Sequence, residues 1–152
     1  METAKELGGM SLFNGLGPDD LAAFAGIAVE AKFGPEDMVY DAGNAGDSMF
    51  VIVEGKFAVR VTDEHDDQVD VASLKPGSYF GEMEVIGGMN RTAAIVSEED
   101  GRCYRFDAAQ LLALLKRNDH LAGHFYREVC KGLVKRLHNT TRDMGYFKAR
   151  AT

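Results

Sequence analysis

Short β-prone runs, separated by glycine or acidic turns about every ten residues, fill the chain between residues 31 and 106. In the clearest of them, from Phe57 to Val61, apolar residues alternate with polar or small ones, which predicts a strand with one buried face. The Asp100-Gly101 pair predicts a tight hairpin turn. This pattern favours a closed antiparallel roll or sandwich over a parallel sheet.

Helical signals flank the β-rich segment on both sides. Pro18, followed by two aspartates, marks the start of an N-terminal helix. Later in the chain, Asp107 is expected to cap one helix, and Asn118 or Asp119 a longer one. Five apolar residues at every fourth position of the longer helix predict one apolar stripe: Leu121, Phe125, Val129, Leu133 and Leu137. The predicted fold class is α+β.

Length and composition limit the class of protein. The 152 residues, 45% hydrophobic and 27% charged, predict one soluble globular domain over residues 1–152. No apolar run approaches the ~20 residues of a membrane span, and the N-terminus lacks the features of a secretory signal. Cys103 and Cys130 form no CxxC motif, which favours a reduced, cytoplasmic setting.

Charge is unevenly distributed along the chain. Through Leu115 there are 8 Lys and Arg residues against 21 Asp and Glu, whereas from Lys116 onward there are 9 against 3. The acidic part should repel nucleic acid, because basic residues supply most non-specific affinity for phosphate backbones. The basic part could attract anions, but a solvated helix face is the favoured interpretation.

The stretch from Tyr79 to Ile95, YFGEMEVIGGMNRTAAI, has the composition of a binding loop rather than of a core element. A helical turn at Met83–Ile86 would present free amides to an anion, and the Arg91 guanidinium could grip two phosphate oxygens. Glu82 could accept a hydrogen bond from a sugar hydroxyl, and Thr92 could reach phosphate or a base edge. A nucleotide combines these groups. Alternatively, Glu82 and Arg91 form a loop-closing ion pair.

The stretches Phe80–Met83 and Arg91–Ile95 resemble the phosphate-binding cassette of the cyclic nucleotide-binding domain family. A second stretch, from Gly43 to Gly55, resembles the glycine-marked β-roll corner of that family, and the likeness runs from about Leu12 to His138. It implies an eight-stranded antiparallel β-roll over about residues 31–106, an N-terminal helix, and two C-terminal helices over about 107–147. It also implies that cAMP or cGMP is the ligand.

The resemblance assigns a role to several residues. Glu82 would accept the ribose 2′-hydroxyl, and Arg91 would pair with the cyclic phosphate. The amides of Met83 and Glu84 would assist, with Gly81, Thr92 and Ala93 completing the cassette, and Val71 and Leu74 would line the base pocket. The last helix would supply a lid, for which the candidates are Lys131, Leu133, Lys135 and Arg136.

Glu84 departs from the family pattern, which has Ala, Gly or Ser at this position. A carboxylate beside a bound anion opposes binding by on the order of 1 kcal/mol if solvated, and by more if enclosed. Either Glu84 points outward and leaves its amide available, which is the favoured interpretation, or the pocket is weak, altered or empty.

Catalysis finds little support in the sequence. His120 and His124 have the i, i+4 spacing of two metal ligands, but no third ligand is evident, so surface positions are expected. A metal-dependent enzyme therefore remains only as a contrast.

The leading hypothesis is a stand-alone cyclic nucleotide sensor, not an enzyme, whose last helix signals to a protein effector or pairs in a homodimer. Because the chain ends soon after Leu137, no DNA-binding domain is expected to follow. The alternative is a degenerate member of the family that serves as an interaction or dimerisation module through the stripe on the last helix.

Overall fold

The computed structural model describes the backbone of residues 2–151 and the side chains of residues 2–142. The strands are β1 (Ala28–Phe33), β2 (Met38–Tyr40), β3 (Ser48–Glu54), β4 (Phe57–Thr62), β5 (Gln68–Leu74), β6 (Tyr79–Phe80), β7 (Ala94–Ser97) and β8 (Gly101–Asp107). The helices are α1 (Glu2–Gly8), α2 (Pro18–Ile27), α3 (Glu82–Gly87), α4 (Ala108–Arg117) and α5 (Asp119–Ala151), with a 3-10 turn at Ser11–Phe13.

All strand pairings are antiparallel and form two four-stranded sheets, ordered β1-β8-β3-β6 and β2-β7-β4-β5. This confirms the predicted α+β class and the eight-stranded β-roll with flanking helices. Helix α1 is not among the elements that the sequence patterns predict. Its Leu7 is fully buried, so α1 contributes to the core.

Side-chain caps fix where the two C-terminal helices begin. The Asp107 carboxylate accepts a hydrogen bond from the Gln110 amide at 3.1 Å. The Asn118 side chain likewise accepts one from the Leu121 amide at 3.1 Å. Of the two predicted caps of the longer helix, Asn118 is therefore the one that acts.

The apolar residues form two clusters. One lies inside the roll and draws on both sheets; it contains Phe50, Ile52, Phe57, Phe80, Ile95 and Cys103. The other joins the helices to the first sheet and takes in Leu121, Phe125 and Val129 of α5. Most of the predicted α5 stripe therefore packs on its own domain, with Leu133 partly buried. Leu137, at 68% exposure, leaves that interface.

The functional question centres on α3, which begins where β6 leaves the first sheet. β6 pairs with β3 at Phe50 and Val51, and the chain then turns into α3 through Gly81. This confines α3 between the roll and the later part of α5.

Within residues 2–151, no helix is both long enough and apolar enough to cross a membrane.

Candidate ligand-binding site

A cavity of about 260 Å³ lies beside α3, between the second sheet and α5. It is lined by Tyr40, Val59, Ala72, Leu74, Tyr79, Phe80, Gly81, Glu82, Met83, Glu84, Thr92, Ala93, Ile95 and Arg136. Seven of the nine predicted ligand-binding residues are therefore brought together around one space: Leu74, Gly81, Glu82, Met83, Glu84, Thr92 and Ala93. Val71 and Arg91 are not in this lining.

Gly81 permits the close packing on which the site depends. Its φ of +87° is in the left-handed region that favours glycine. A Cβ atom at this position would lie 2.8 Å from Nη1 of Arg91 and 2.9 Å from the Ser48 carbonyl oxygen. Any larger residue would therefore push the Arg91 guanidinium away from the backbone that it contacts.

The Arg91 side chain is 1% exposed, and protein acceptors surround it. Nη1 donates to the Gly81 carbonyl oxygen at 3.2 Å and to Glu84 Oε1 at 3.0 Å. Nη2 donates to the carbonyl oxygen of Ser48 and, at 3.3 Å, to its hydroxyl. The Tyr40 ring lies against the guanidinium, 3.9 Å from its centroid. The guanidinium thus ties β2, β3 and α3 together, and among the described residues its Nε has no hydrogen-bond partner.

The expectation that Glu84 points outward is wrong. Glu84 is buried and its carboxylate forms the ion pair with Arg91. A Cβ atom on Gly46 would lie 2.5 Å from the Glu84 Cβ, so the side chain starts against the β2–β3 corner and has no outward path there. Pairing with Arg91 offsets the cost of removing the carboxylate from water.

Glu82 is 2% exposed and pairs with the last helix instead of with Arg91. Its Oε1 accepts a hydrogen bond from Nη1 of Arg136 at 3.0 Å, whereas its buried Oε2 has no partner among the described residues. The loop-closing pair between Glu82 and Arg91 is thus not formed. Burial raises the pKa of Glu82 above its ordinary value, and the nearby Arg136 charge partly opposes that rise.

Of the four lid candidates, Arg136 is the one that lines the cavity. Its guanidinium lies 5.9 Å from the centroid of the Tyr79 ring, and its side chain is half exposed. Lys131 and Lys135 line an adjoining surface groove, and Leu133 packs against the helical core. A Cβ atom on Gly132 would lie 2.6 Å from the Tyr79 hydroxyl, so this glycine lets α5 approach closely.

The prediction that Val71 lines the base pocket is wrong. Val71 is 58% exposed. It has no partner in the register of β4 and β5, where the pair Val59↔Ala72 is followed by Arg60↔Asp70. Ala72 and Leu74, two residues apart on one strand face, line the cavity instead. Strict alternation along β5 would have selected this pair, because residues three apart lie on opposite faces.

Several lining residues were not predicted. Tyr79, Phe80 and Ile95 lie within the stretch identified as a binding loop but were given no role, whereas no sequence motif indicates Tyr40 or Val59. Burial raises the pKa of Tyr40 and of Tyr79, so both phenols stay protonated at neutral pH and can donate hydrogen bonds. The cavity therefore combines an apolar strand wall with phenols, carboxylates and one half-exposed arginine.

The two histidines on α5 take up separate contacts. His120 lies 3.3 Å from an Asp20 carboxylate oxygen, and a ring nitrogen of His124 lies 3.0 Å from the Leu12 carbonyl oxygen. Across the residues that the structure describes, no group of three or more His, Cys, Asp or Glu side chains could hold a metal ion.

The antiparallel roll, the cassette helix α3 and the cavity beneath α5 define the class of protein. The family described as "Cyclic nucleotide-binding domain" matches residues 30–118, which is more than half of the chain. The chain therefore belongs to the cyclic nucleotide-binding domain family, as the sequence resemblance indicated.

Individual relatives agree with this assignment. The cyclic AMP receptor protein of Thermus thermophilus is 26% identical over 109 residues, which are 72% of this chain and 50% of that protein. The type II regulatory subunit of the cAMP-dependent protein kinase of Drosophila melanogaster is 25% identical over 133 residues, 86% of this chain and 34% of that protein. The chain thus spans half or less of the length of these two relatives.

A solved cyclic nucleotide-binding domain from Methylobacillus flagellatus shares the fold. It has a TM-score of 0.81 and 18% identity, and the likeness covers 93% of this chain and 80% of that chain. The shared fold therefore extends over nearly the whole chain.

Proposed function

We propose that this protein is a regulatory module that binds cAMP or cGMP in the cavity beside α3 and transmits binding through α5. The observation that carries the proposal is the buried Oε2 atom of Glu82 on the cavity wall, an acceptor for which the described part of the chain supplies no partner. A buried acceptor is costly to leave unpaired, and a sugar hydroxyl would satisfy it.

The ligand's base would occupy the apolar part of the cavity, against Val59, Ala72 and Leu74 of the strand wall. Its phosphate would face Thr92 and the first-turn amides of Met83 and Glu84, and would engage Arg91 by taking over the bond now made by Glu84. The unpartnered Nε of Arg91 offers a second donor.

Transmission to α5 follows from Arg136. This residue lines the cavity and holds the Glu82 carboxylate that the sugar would use. Ligand entry would change the contacts of Arg136 and so favour one position of α5 over another, to the extent that the ligand binds the two states differently. The receiver would be an effector protein or a second copy of the chain.

Calorimetric titration with cAMP and cGMP tests the proposal, with two variants of one strand as a matched pair. Leu74→Ala removes cavity-lining apolar surface and should weaken binding about tenfold. Val71→Ala alters an exposed residue of the same strand and should leave the affinity unchanged within about twofold. Absence of binding, or equal effects of both variants, would contradict binding in this cavity.

A second candidate function, an interaction module without tight ligand binding, is favoured by an exposed face of α5. Tyr126, Cys130, Val134 and Leu137 follow one another at steps of three or four residues, and Val134 and Leu137 are 66% and 68% exposed. Sedimentation of the ligand-free chain beside a Val134→Asp variant separates the two functions: a self-associating module loses its dimer, whereas a sensor alone sediments unchanged.

A further inference from the structure

Glu84 occupies a fixed place in the site. Its Cβ faces the β2–β3 corner at Gly46, and its carboxylate meets Nη1 of Arg91 at 3.0 Å. Both side chains of the pair are buried, with 10% of Glu84 and 1% of Arg91 exposed. The pair is therefore enclosed, unlike a surface contact that water would weaken; the exposed Asp47 carboxylate lies farther from the guanidinium, at 3.8 Å.

The cavity wall carries the anionic member of that pair. Glu84 lines the space, whereas Arg91 is not part of the lining, and the Tyr40 ring lies against its guanidinium. A ligand that enters the cavity thus meets two buried carboxylates, Glu82 and Glu84, before it meets the Arg91 guanidinium. A phosphate would have to approach Glu84 or displace it, and like charges in an enclosed site repel strongly.

The remaining polar groups of the wall suit neutral hydroxyls. Glu82 Oε2 is a buried acceptor that none of residues 2–142 pairs with, and Tyr40, Tyr79 and Thr92 can both donate and accept. Arg136, the one cation in the lining, already pairs with Glu82. A sugar that carries free hydroxyls can satisfy these groups without bringing a second negative charge beside Glu84.

We propose that Glu84 is a specificity-determining residue, whose carboxylate holds the place of the ligand's phosphate on Arg91. The consequence is a site that discriminates little between a cyclic nucleotide and the corresponding neutral nucleoside, and that admits nucleosides as a second class of ligand. This inference rests on the proposed function, because it concerns the same cavity and the same orientation of base and sugar.

The test compares cAMP with adenosine, and cGMP with guanosine, by calorimetry on the wild-type chain, Glu84→Ala and Glu84→Gln. In the wild type, the dissociation constants within each pair should agree to within about threefold. In both variants the affinity for the cyclic nucleotide should rise by about tenfold or more, while the affinity for the nucleoside should change by less than about twofold. A purely structural role for Glu84 would shift both ligands together.

Two precautions keep the comparison decisive. Glu84→Gln keeps the shape of the side chain and a hydrogen bond to Arg91, so it gives the answer if Glu84→Ala does not fold. Glu64→Ala removes the same charge from the exposed loop between β4 and β5, where the side chain is 87% exposed, and should change neither ligand's affinity.

The outcomes separate this inference from the proposed function. A wild-type chain that binds the cyclic nucleotide more than about thirtyfold tighter than the nucleoside overturns the inference and leaves the proposed function standing. Equal tightening of both ligands in the Glu84 variants does the same. If neither ligand binds to any of the three proteins, the proposed function and the inference are both overturned.

Discussion

Arg91 and Arg102 each lie at the centre of a charged cluster, but the two clusters differ in burial and in how completely their atoms are paired. Arg102 donates to Glu6, Glu30 and Glu54, and the Tyr104 hydroxyl donates to Glu6 as well. This cluster fastens α1 to β8 and is 16% exposed at its arginine. Neither Arg102 nor Glu6 has a buried, unpartnered side-chain atom.

The cluster in the candidate site is less completely hydrogen-bonded; it consists of Arg91, Glu84, Glu82 and Arg136. Arg91 Nε and Glu82 Oε2 are buried and have no hydrogen-bond partner among the described residues. The pKa values of the two glutamates differ accordingly: hydrogen bonds from Arg102 and Tyr104 lower that of Glu6, whereas burial raises that of Glu82. Ionised Glu6 thus stabilises the fold, whereas ionised Glu82 destabilises it and leaves an acceptor free for a ligand.

The largest expected effect comes from removing each arginine in turn. Arg91→Ala leaves Glu84 buried without its partner and removes the donors to the Ser48 and Gly81 carbonyl groups, so it should cost about 3–5 kcal/mol of unfolding free energy. Arg102→Ala affects a more exposed cluster and should cost about 1–2 kcal/mol. Urea unfolding followed by circular dichroism measures both losses.

The stability lost in Arg102→Ala should depend on pH, which distinguishes it further from Arg91→Ala. The stabilisation from Glu6 is present above 4.5, its ordinary pKa, and is lost as pH falls through the lowered pKa of the folded state. The deficit of Arg102→Ala should therefore shrink in that range. Equal losses for both variants at neutral pH would show that burial and completeness of pairing do not distinguish the clusters.

The sequence could predict the features that neighbouring residues determine, but not those that depend on distant parts of the chain. Phe80–Met83 and Arg91–Ile95 are local stretches with fixed chemistry, so they identified the cassette and the family. Val71 was misplaced although the strand's own sequence excludes it beside Leu74, because residues three apart on a strand lie on opposite faces.

The inward orientation of Glu84 could not be read locally. It depends on Gly46, which lies 38 positions earlier in the sequence and leaves the space that the Glu84 side chain faces. Likewise, Arg136 could be selected from the four lid candidates only once the position of α5 against Tyr79 was known. The periodicity of the helix sequence does not specify that position. Long-range packing, rather than helix or strand propensity, decides both positions.

A smaller effect of opposite sign is expected at Glu82. Because burial raises its pKa above 4.5, the folded state holds more protons than the unfolded state between those two pKa values. Stability therefore falls as pH rises through that window. Glu82→Gln removes this ionisation and should raise the unfolding free energy at pH 7 by about 0.5–2 kcal/mol, while weakening nucleotide binding.

Thermal unfolding of Glu82→Gln and wild type between pH 4 and 8 checks the sign. The advantage of the variant should disappear as the wild-type carboxyl becomes protonated at low pH. A variant that is less stable than the wild type at every pH would mean that the Arg136 pair outweighs the cost of burying Glu82, and the contrast with Glu6 would then fail.

The smallest expected effect lies on α5, where two glycines form a matched pair. No heavy atom lies within 4 Å of a Cβ placed on Gly123, so Gly123→Ala should stabilise the helix by about 0.5–1 kcal/mol. A Cβ on Gly132 would meet the Tyr79 hydroxyl at 2.6 Å, so Gly132→Ala should lose most of that gain. Displacement of α5 there would also draw Arg136 away from Glu82, while the Arg102 cluster, which involves no α5 residue, stays intact. Calorimetric unfolding measures the stability of the two variants, and nucleotide titration measures their affinity. If both variants are stabilised equally and bind nucleotide as the wild type does, the contact of Gly132 with Tyr79 does not position Arg136.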